Sequence, residues 1–209
     1  MIAVDETFLS LLFYPNAKPP DDPATGKPIE RLQDRIDQLI DTWQASREII
    51  VIPTPVLTEF LYLAGEAAPD YLSEIDNKAL YKSGDFDRRA AVELAALHHK
   101  FAGTRSKRRR KSKGKDETWA KISFDRQIVA ICKVNNVTTI YSDDGGLRTF
   151  AIRNGIEVVR TWELPMPPMD KQMGFEELLE GQPATDAKVG DVDSKAKVAE
   201  EGDLSENGS

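Results

Sequence analysis

Apolar residues along the chain gather in short β-branched runs that alternate with segments of helical period. MIAVD opens as a strand and TFLSLLF follows as a helix. PNAKPPDDPATGKP (15–28) reads as a loop from its Pro, Gly and Asp content. Ile29, Leu32, Ile36, Leu39, Ile40 and Trp43 fall at helical spacing, which predicts an amphipathic helix to about Ser46. EIIVIP (48–53) reads as a buried strand, and PTPVLTEFLYLAGE as a helix with Pro55 in its first turn. Lys78 to Lys82 reads as a short strand, Asp85 to Ala102 as an alanine-rich helix, and about Phe124 to Val134 as another helix. TTIYS is a strand, Leu147 to Asn154 a short helix and GIEVVR a last strand. Strands alternating with helices, without internal repeat, predict an α/β fold with a parallel sheet covered on both faces.

After PMPPMD (165–170) the pattern stops. Residues 181–209 contain no aromatic residue and few large aliphatics, so they bury too little to offset ordering entropy and are expected to be disordered. GFEELLEG before them has the makings of one or two transient helical turns. The expected organisation is a folded domain over 1–165 and a Pro-containing linker with an acidic tail over 166–209. At 209 residues and 40% hydrophobic content the chain suits one domain with appendages.

Charge sharpens this division. From Asp170 onward there are 11 Asp or Glu against four Lys, which accounts for the whole net charge of −7. The first 169 residues carry 24 of each sign. Within them TRSKRRRKSKGKDE (104–117) concentrates eight basic residues: Arg105, Lys107, Arg108, Arg109, Arg110, Lys111, Lys113 and Lys115. Such a run is either a solvated linker or localisation signal, or a contact surface for phosphates. The single Cys132 excludes an intrachain disulfide and suits a reducing cytoplasm. With only His98 and His99 beside it, the usual zinc sites are also excluded. No run approaches the roughly 18 apolar residues that cross a membrane. The opening carries Asp5 and Glu6 where a secretory signal needs positive charge, so it is expected to be mature structure.

The chemistry lies in carboxylates placed awkwardly for their local pattern. Asp143 and Asp144 follow a strand and precede Gly145-Gly146, so they belong either to a turn or to the ligand-binding carboxyl edge of a sheet. Asp5 ends the first strand at the same edge, where an N-cap role is the simpler reading. Glu59 falls roughly 40° from Leu63, on the flank of the face formed by Val56, Leu57, Phe60, Leu61, Leu63 and Ala64. Asp125 projects within the face of Phe124, Ile128, Val129, Ile131 and Cys132. A helix-terminus role explains an acid there but not its direction. Acids crowded at one edge repel one another unless a divalent cation sits among them, and all-oxygen donors suit Mg²⁺ or Mn²⁺. Such ions activate water and stabilise a phosphorane-like transition state.

VDETFL, PVLTEF, FDRQIVAIC and TIYSDDGGLRTFAIRNGIEVV resemble, in order, the four acidic motifs of PIN-domain nucleases, over about residues 1–165. The group most similar is the VapC-like bacterial toxin ribonucleases. That resemblance implies a parallel five-stranded sheet with helices on both faces, Mg²⁺- or Mn²⁺-dependent RNA cleavage and a homodimer, with an antitoxin protein as a candidate partner in the cytoplasm that the lone cysteine suits. It makes Asp5, Glu59, Asp125 and Asp144 the catalytic acids, with Asp5, Asp125, Asp144 and Asp143 toward the metal. Ser142 fills the family's hydroxyl position, and Glu6 stands where the family often has Thr. The basic block is longer than in a minimal toxin and would hold the nucleic acid.

Two other readings compete. A non-catalytic protein of the same fold would bind nucleic acid through the basic block, but phosphate binding gains nothing from a negative pocket. A phosphatase using Asp5 as nucleophile wants a second Asp two residues on, where this chain has Thr7.

Overall fold

The computed structural model describes the backbone of residues 1–14, 17–108 and 119–168, and their side chains apart from 101–108 and 119–122. The chain divides into one compact unit over Met1–Pro167 and a second over Pro168–Ser209. The acidic tail, GFEELLEG and residues 109–118 of the basic block lie outside the described residues.

Five strands form one parallel sheet in the order β3-β2-β1-β4-β5: β1 (Ile2–Val4), β2 (Ile50–Pro53), β3 (Tyr81–Gly84), β4 (Thr139–Tyr141) and β5 (Glu157–Val159). Every residue of β1 and β2 is buried, as a strand covered on both faces requires. The outer strands β3 and β5 carry the polar side chains. From β1 the chain builds outward through β2 to β3, then crosses back to set β4 on the other side of β1. The strand order therefore reverses between β1 and β4, and a crevice opens at their carboxyl ends.

Helices α1 (Glu6–Phe13), α2 (Leu32–Ala45), α3 (Thr54–Ala64), α4 (Ala68–Asn77), α5 (Arg88–Arg108), α6 (Trp119–Val134) and α7 (Gly145–Arg153) connect the strands. Four differ from the sequence expectation, α6 by starting at Trp119 instead of about Phe124. Helix α4 was not expected, since no element was read between Glu66 and Lys78; its Pro69 is at home in a first turn. Its end at Asn77 displaces β3 to Tyr81–Gly84. Helix α7 starts at Gly145, so Gly145-Gly146 is a first helical turn and not a free-standing turn. Helix α5 continues to Arg108 and so takes Arg105, Lys107 and Arg108 onto helical backbone.

Two helices that carry acids are pinned firmly. On α6, Val129, Ala130, Ile131 and Cys132 are fully buried. A Cβ at Gly84 would stand 2.7 Å from Val51 Cγ1 and 2.8 Å from Ile131 Cγ2, so the end of β3 admits α6 this closely only because it is glycine. The Arg89 guanidinium donates to the Val134 carbonyl at 2.8 Å, tying α5 to the end of α6. On α3, Pro55, Val56 and Phe60 are buried, but Leu63 is 61% exposed, against its expected place on the core face.

Candidate active site

The two strand-end acids at the crevice are placed by ordinary local forces. Asp5 directly follows β1 and caps α1, its Oδ1 accepting from the Phe8 N–H at 2.8 Å. Asp144 follows β4 and caps α7, its Oδ1 accepting from the Gly146 and Leu147 N–H groups at 2.6 and 2.8 Å. The capping reading of Asp5 was thus correct as far as it reached. It leaves unexplained why four separate segments send carboxylates to one place.

A cavity of about 630 Å³ at this edge is lined by Asp5, Glu6, Glu59, Asp125 and Asp144. Among the described residues its wall contains no Lys or Arg; Thr7, Thr58, Tyr62, Phe124, Ile128 and Leu147 contribute to the rest. Two helix N-termini, those of α1 and α7, meet the same edge with their partial positive charge. A second hollow, of about 690 Å³, runs along β5 and α7 beside Arg148, Glu157 and Glu163, and none of the four predicted acids borders it.

The acids differ in environment. Asp5 is buried, and Glu59 is exposed on the solvent side of α3. The Asp5 carboxyl is raised from its ordinary 3.8 to about 7, chiefly by burial, with the nearby charges of Asp143 and Glu6 contributing in the same direction. Hydrogen bonds from the Ser142 side chain and the Phe8 N–H act in the opposite direction. Ser142 is itself fully buried, and its Oγ accepts from the Asp144 N–H at 3.0 Å. One hydroxyl therefore couples the two strand-end acids. Glu6 accepts from Ser10 Oγ at 2.7 Å.

Asp143 faces elsewhere. Its Oδ1 accepts from the Thr161 N–H at 2.8 Å and its Oδ2 from Thr161 Oγ1 at 2.6 Å, which ties the end of β4 to the turn at Thr161–Glu163. It is absent from the cavity wall, unlike its neighbour Asp144. Of the basic block, Arg105, Lys107 and Arg108 lie on α5, while Arg109, Arg110, Lys111, Lys113 and Lys115 lie outside the described residues. Sequence reasoning missed Thr7, Thr58, Tyr62 and Phe124 as cavity residues. The signals were adjacency to Asp125 for Phe124 and helical spacing from Glu59 for Tyr62.

Among the described residues no group of three or more His, Cys, Asp or Glu side chains is arranged to hold a metal ion as it stands. The donors nonetheless fit Mg²⁺ or Mn²⁺ chemically. All are hard oxygens, and the buried Asp5 carboxyl is a group whose charged form a cation would restore.

The chain matches no family profile and no curated protein sequence. Among solved structures it is similar to DNA-bound VapBC from Salmonella typhimurium, with 14% identity over 77% of this chain and 99% of that one and a TM-score of 0.46. It is similar also to VapBC2 from Rickettsia felis bound to a promoter DNA fragment, with 13% identity, 77% and 98% coverage and a TM-score of 0.45. VapC20 from Mycobacterium tuberculosis, a sarcin–ricin loop cleaving toxin, gives 15% identity, 76% and 98% coverage and a TM-score of 0.43. Among the described residues no helix is long and apolar enough to cross a membrane.

Proposed function

We propose that the chain is a divalent-metal-dependent ribonuclease whose chemistry takes place at the crevice between β1 and β4. The observation that carries this reading is the convergence of Asp5, Glu59, Asp125 and Asp144, from four separate segments, on one cavity at the strand-order reversal. Asp5, Asp125 and Asp144 are the residues to hold Mg²⁺ or Mn²⁺, which would supply an activated water and offset charge on the phosphorane-like transition state. Asp143 leaves this set and becomes a brace, because Thr161 engages both its oxygens.

The other groups have separable tasks. Ser142 orients Asp5 and holds the Asp144 backbone, so the two acids keep a common geometry. Glu59, exposed at the mouth, stands where solvent enters and positions water. The N-termini of α1 and α7 favour the negative charge that these carboxylates and a phosphate bring together. The basic block joins α5 to α6, and Asp125 lies only about 9 Å along the axis from the first described residue of α6. Its cations are therefore within reach to hold the substrate backbone. The four-motif resemblance supports RNA as substrate, an antitoxin protein as partner, a homodimer, a cytoplasmic site of action and residues 1–165 as the catalytic domain.

The test is cleavage of a labelled single-stranded RNA with Mg²⁺ or Mn²⁺ by wild-type and Asp125→Asn proteins. The substitution keeps shape and removes charge, so activity falls by orders of magnitude while the fold persists. Undiminished cleavage by clean Asp125→Asn protein would overturn the assignment and favour a binding protein of the same fold.

A further inference from the structure

Helices α3 and α6 each leave an aromatic ring in solvent beside the carboxylates. Tyr62 is 83% exposed and Phe124 is 51% exposed, and both line the acidic cavity. Among the described residues the only other exposed aromatic side chain is Phe86, at 38%. One exposed ring would be ordinary, because much of any protein surface is apolar. Two rings from different helices that open onto one cavity are a coincidence that folding does not explain. Phe60, on the same helix as Tyr62, shows that α3 buries an aromatic completely where the core needs one.

Their placement ties them to the acids. Tyr62 follows Glu59 by three residues and Thr58 by four, so all three share one side of α3. Phe124 directly precedes Asp125 and lies four residues before Ile128, which is also in the cavity wall. The cavity thus combines flat apolar faces, a hydroxyl and carboxylates suited to a cation-bridged phosphate. An apolar protein segment would want a continuous greasy patch, whereas these rings are interrupted by Glu59 and Asp125. A nucleic acid strand alternates charge and flat ring in the required way. In a duplex the base faces are stacked inside, so only an unpaired strand offers them.

We propose that Tyr62 and Phe124 stack on the bases flanking the phosphodiester held at the carboxylates and supply most of the base-dependent grip on the strand. This rests on the nuclease reading of the same cavity and adds to it two base-contacting residues.

The test uses the full chain and three RNA oligonucleotides of equal length: a single strand, the same strand with a central abasic stretch, and a duplex. Binding is followed by fluorescence anisotropy in Ca²⁺ at fixed salt, and cleavage in Mn²⁺. Wild type is expected to bind the base-bearing strand about tenfold or more tighter than either alternative. Tyr62→Ala and Phe124→Ala each lose about tenfold on that strand and nothing on the abasic one, whereas Tyr62→Phe and Phe124→Tyr bind as wild type. In Mn²⁺ the same losses appear in KM with kcat held, because stacking is equal in ground and transition states. Equal losses on base-bearing and abasic strands, or none on either, overturn the stacking; the latter result points to a protein partner as the occupant of the rings. Cleavage by the Ala variants at wild-type KM sinks stacking while the nuclease reading stands. Base-dependent binding through both rings in a protein that cleaves nothing sinks the nuclease reading and leaves stacking in place.

Discussion

The two sides of α3 carry the same kind of residue to opposite ends. Phe60 is fully buried, with its ring 5.4 Å from Phe13, 5.8 Å from Tyr14 and 5.5 Å from Tyr71. Tyr81 joins the group through Phe13 at 5.7 Å. Two residues on, roughly 200° around the axis, Tyr62 stands almost wholly in water beside Glu59. On the first side every ring has aromatic neighbours, and burial stabilises the fold. On the second, carboxylates crowd together and Asp5 is buried with a raised pKa. Stability and function therefore separate across one helix, the core side supplying the rigidity that holds the unfavourable side in place.

That separation can be broken one residue at a time. Phe60→Ala is expected to have the largest effect, about 3–5 kcal/mol of lost stability, since it opens a cavity in the aromatic cluster. Tyr62→Ala, on the exposed side, should stay within about 0.5 kcal/mol of wild type in the same urea titration. Similar losses for the two would mean that α3 has no such division.

Asp143 and Asp144 repeat the contrast at smaller scale. Asp143→Ala strands the Thr161 N–H and hydroxyl at a residue only 1% exposed, which costs about 1–3 kcal/mol but leaves cleavage per folded molecule intact. Asp144→Asn keeps an oxygen for the Gly146 and Leu147 N–H groups, so stability changes little while cleavage is lost. Asp144→Ala loses the cap as well, about 1 kcal/mol. Melting curves paired with cleavage rates check all three, and lost cleavage in stable Asp143→Ala protein would return Asp143 to the ligand set.

The sequence made most of the sheet legible because β1, β2, β4 and β5 are short runs rich in β-branched residues, whereas β3, Tyr81–Gly84, has none and was expected three residues early. The four cavity-lining acids were legible in two ways: Glu59 and Asp125 stand on or beside apolar helix faces, and Asp5 and Asp144 follow strands that end at one sheet edge. What stayed hidden depends on neighbours distant in sequence. Projection at 100° per residue puts Leu63 and Phe124 on apolar faces, but says nothing of which sector another element covers. The partner of Asp143 is Thr161, 18 residues away, and nothing in SDDGG announces it. The first turn of α7 was obscured by two glycines whose helical start depends on the cap from Asp144.

The central claim is that this cavity is built for a divalent cation, and Asp5 offers its most direct test. Its pKa of about 7 in the fold stands above the ordinary 3.8, so the folded state holds its proton more tightly than the unfolded chain. That contribution to stability is complete below about pH 3.8 and is lost as pH rises through about 7. A cation that displaces the proton should accordingly raise the melting temperature more at pH 8 than at pH 5. The deciding measurement is a calorimetric titration of Mn²⁺ at pH 6.5 in two buffers of different ionisation enthalpy, with wild-type and Asp5→Asn proteins. Wild type is predicted to bind Mn²⁺ and release most of one proton, and Asp5→Asn to bind far more weakly and release none. No binding at millimolar Mn²⁺, or identical binding and proton release in the two proteins, would contradict the claim.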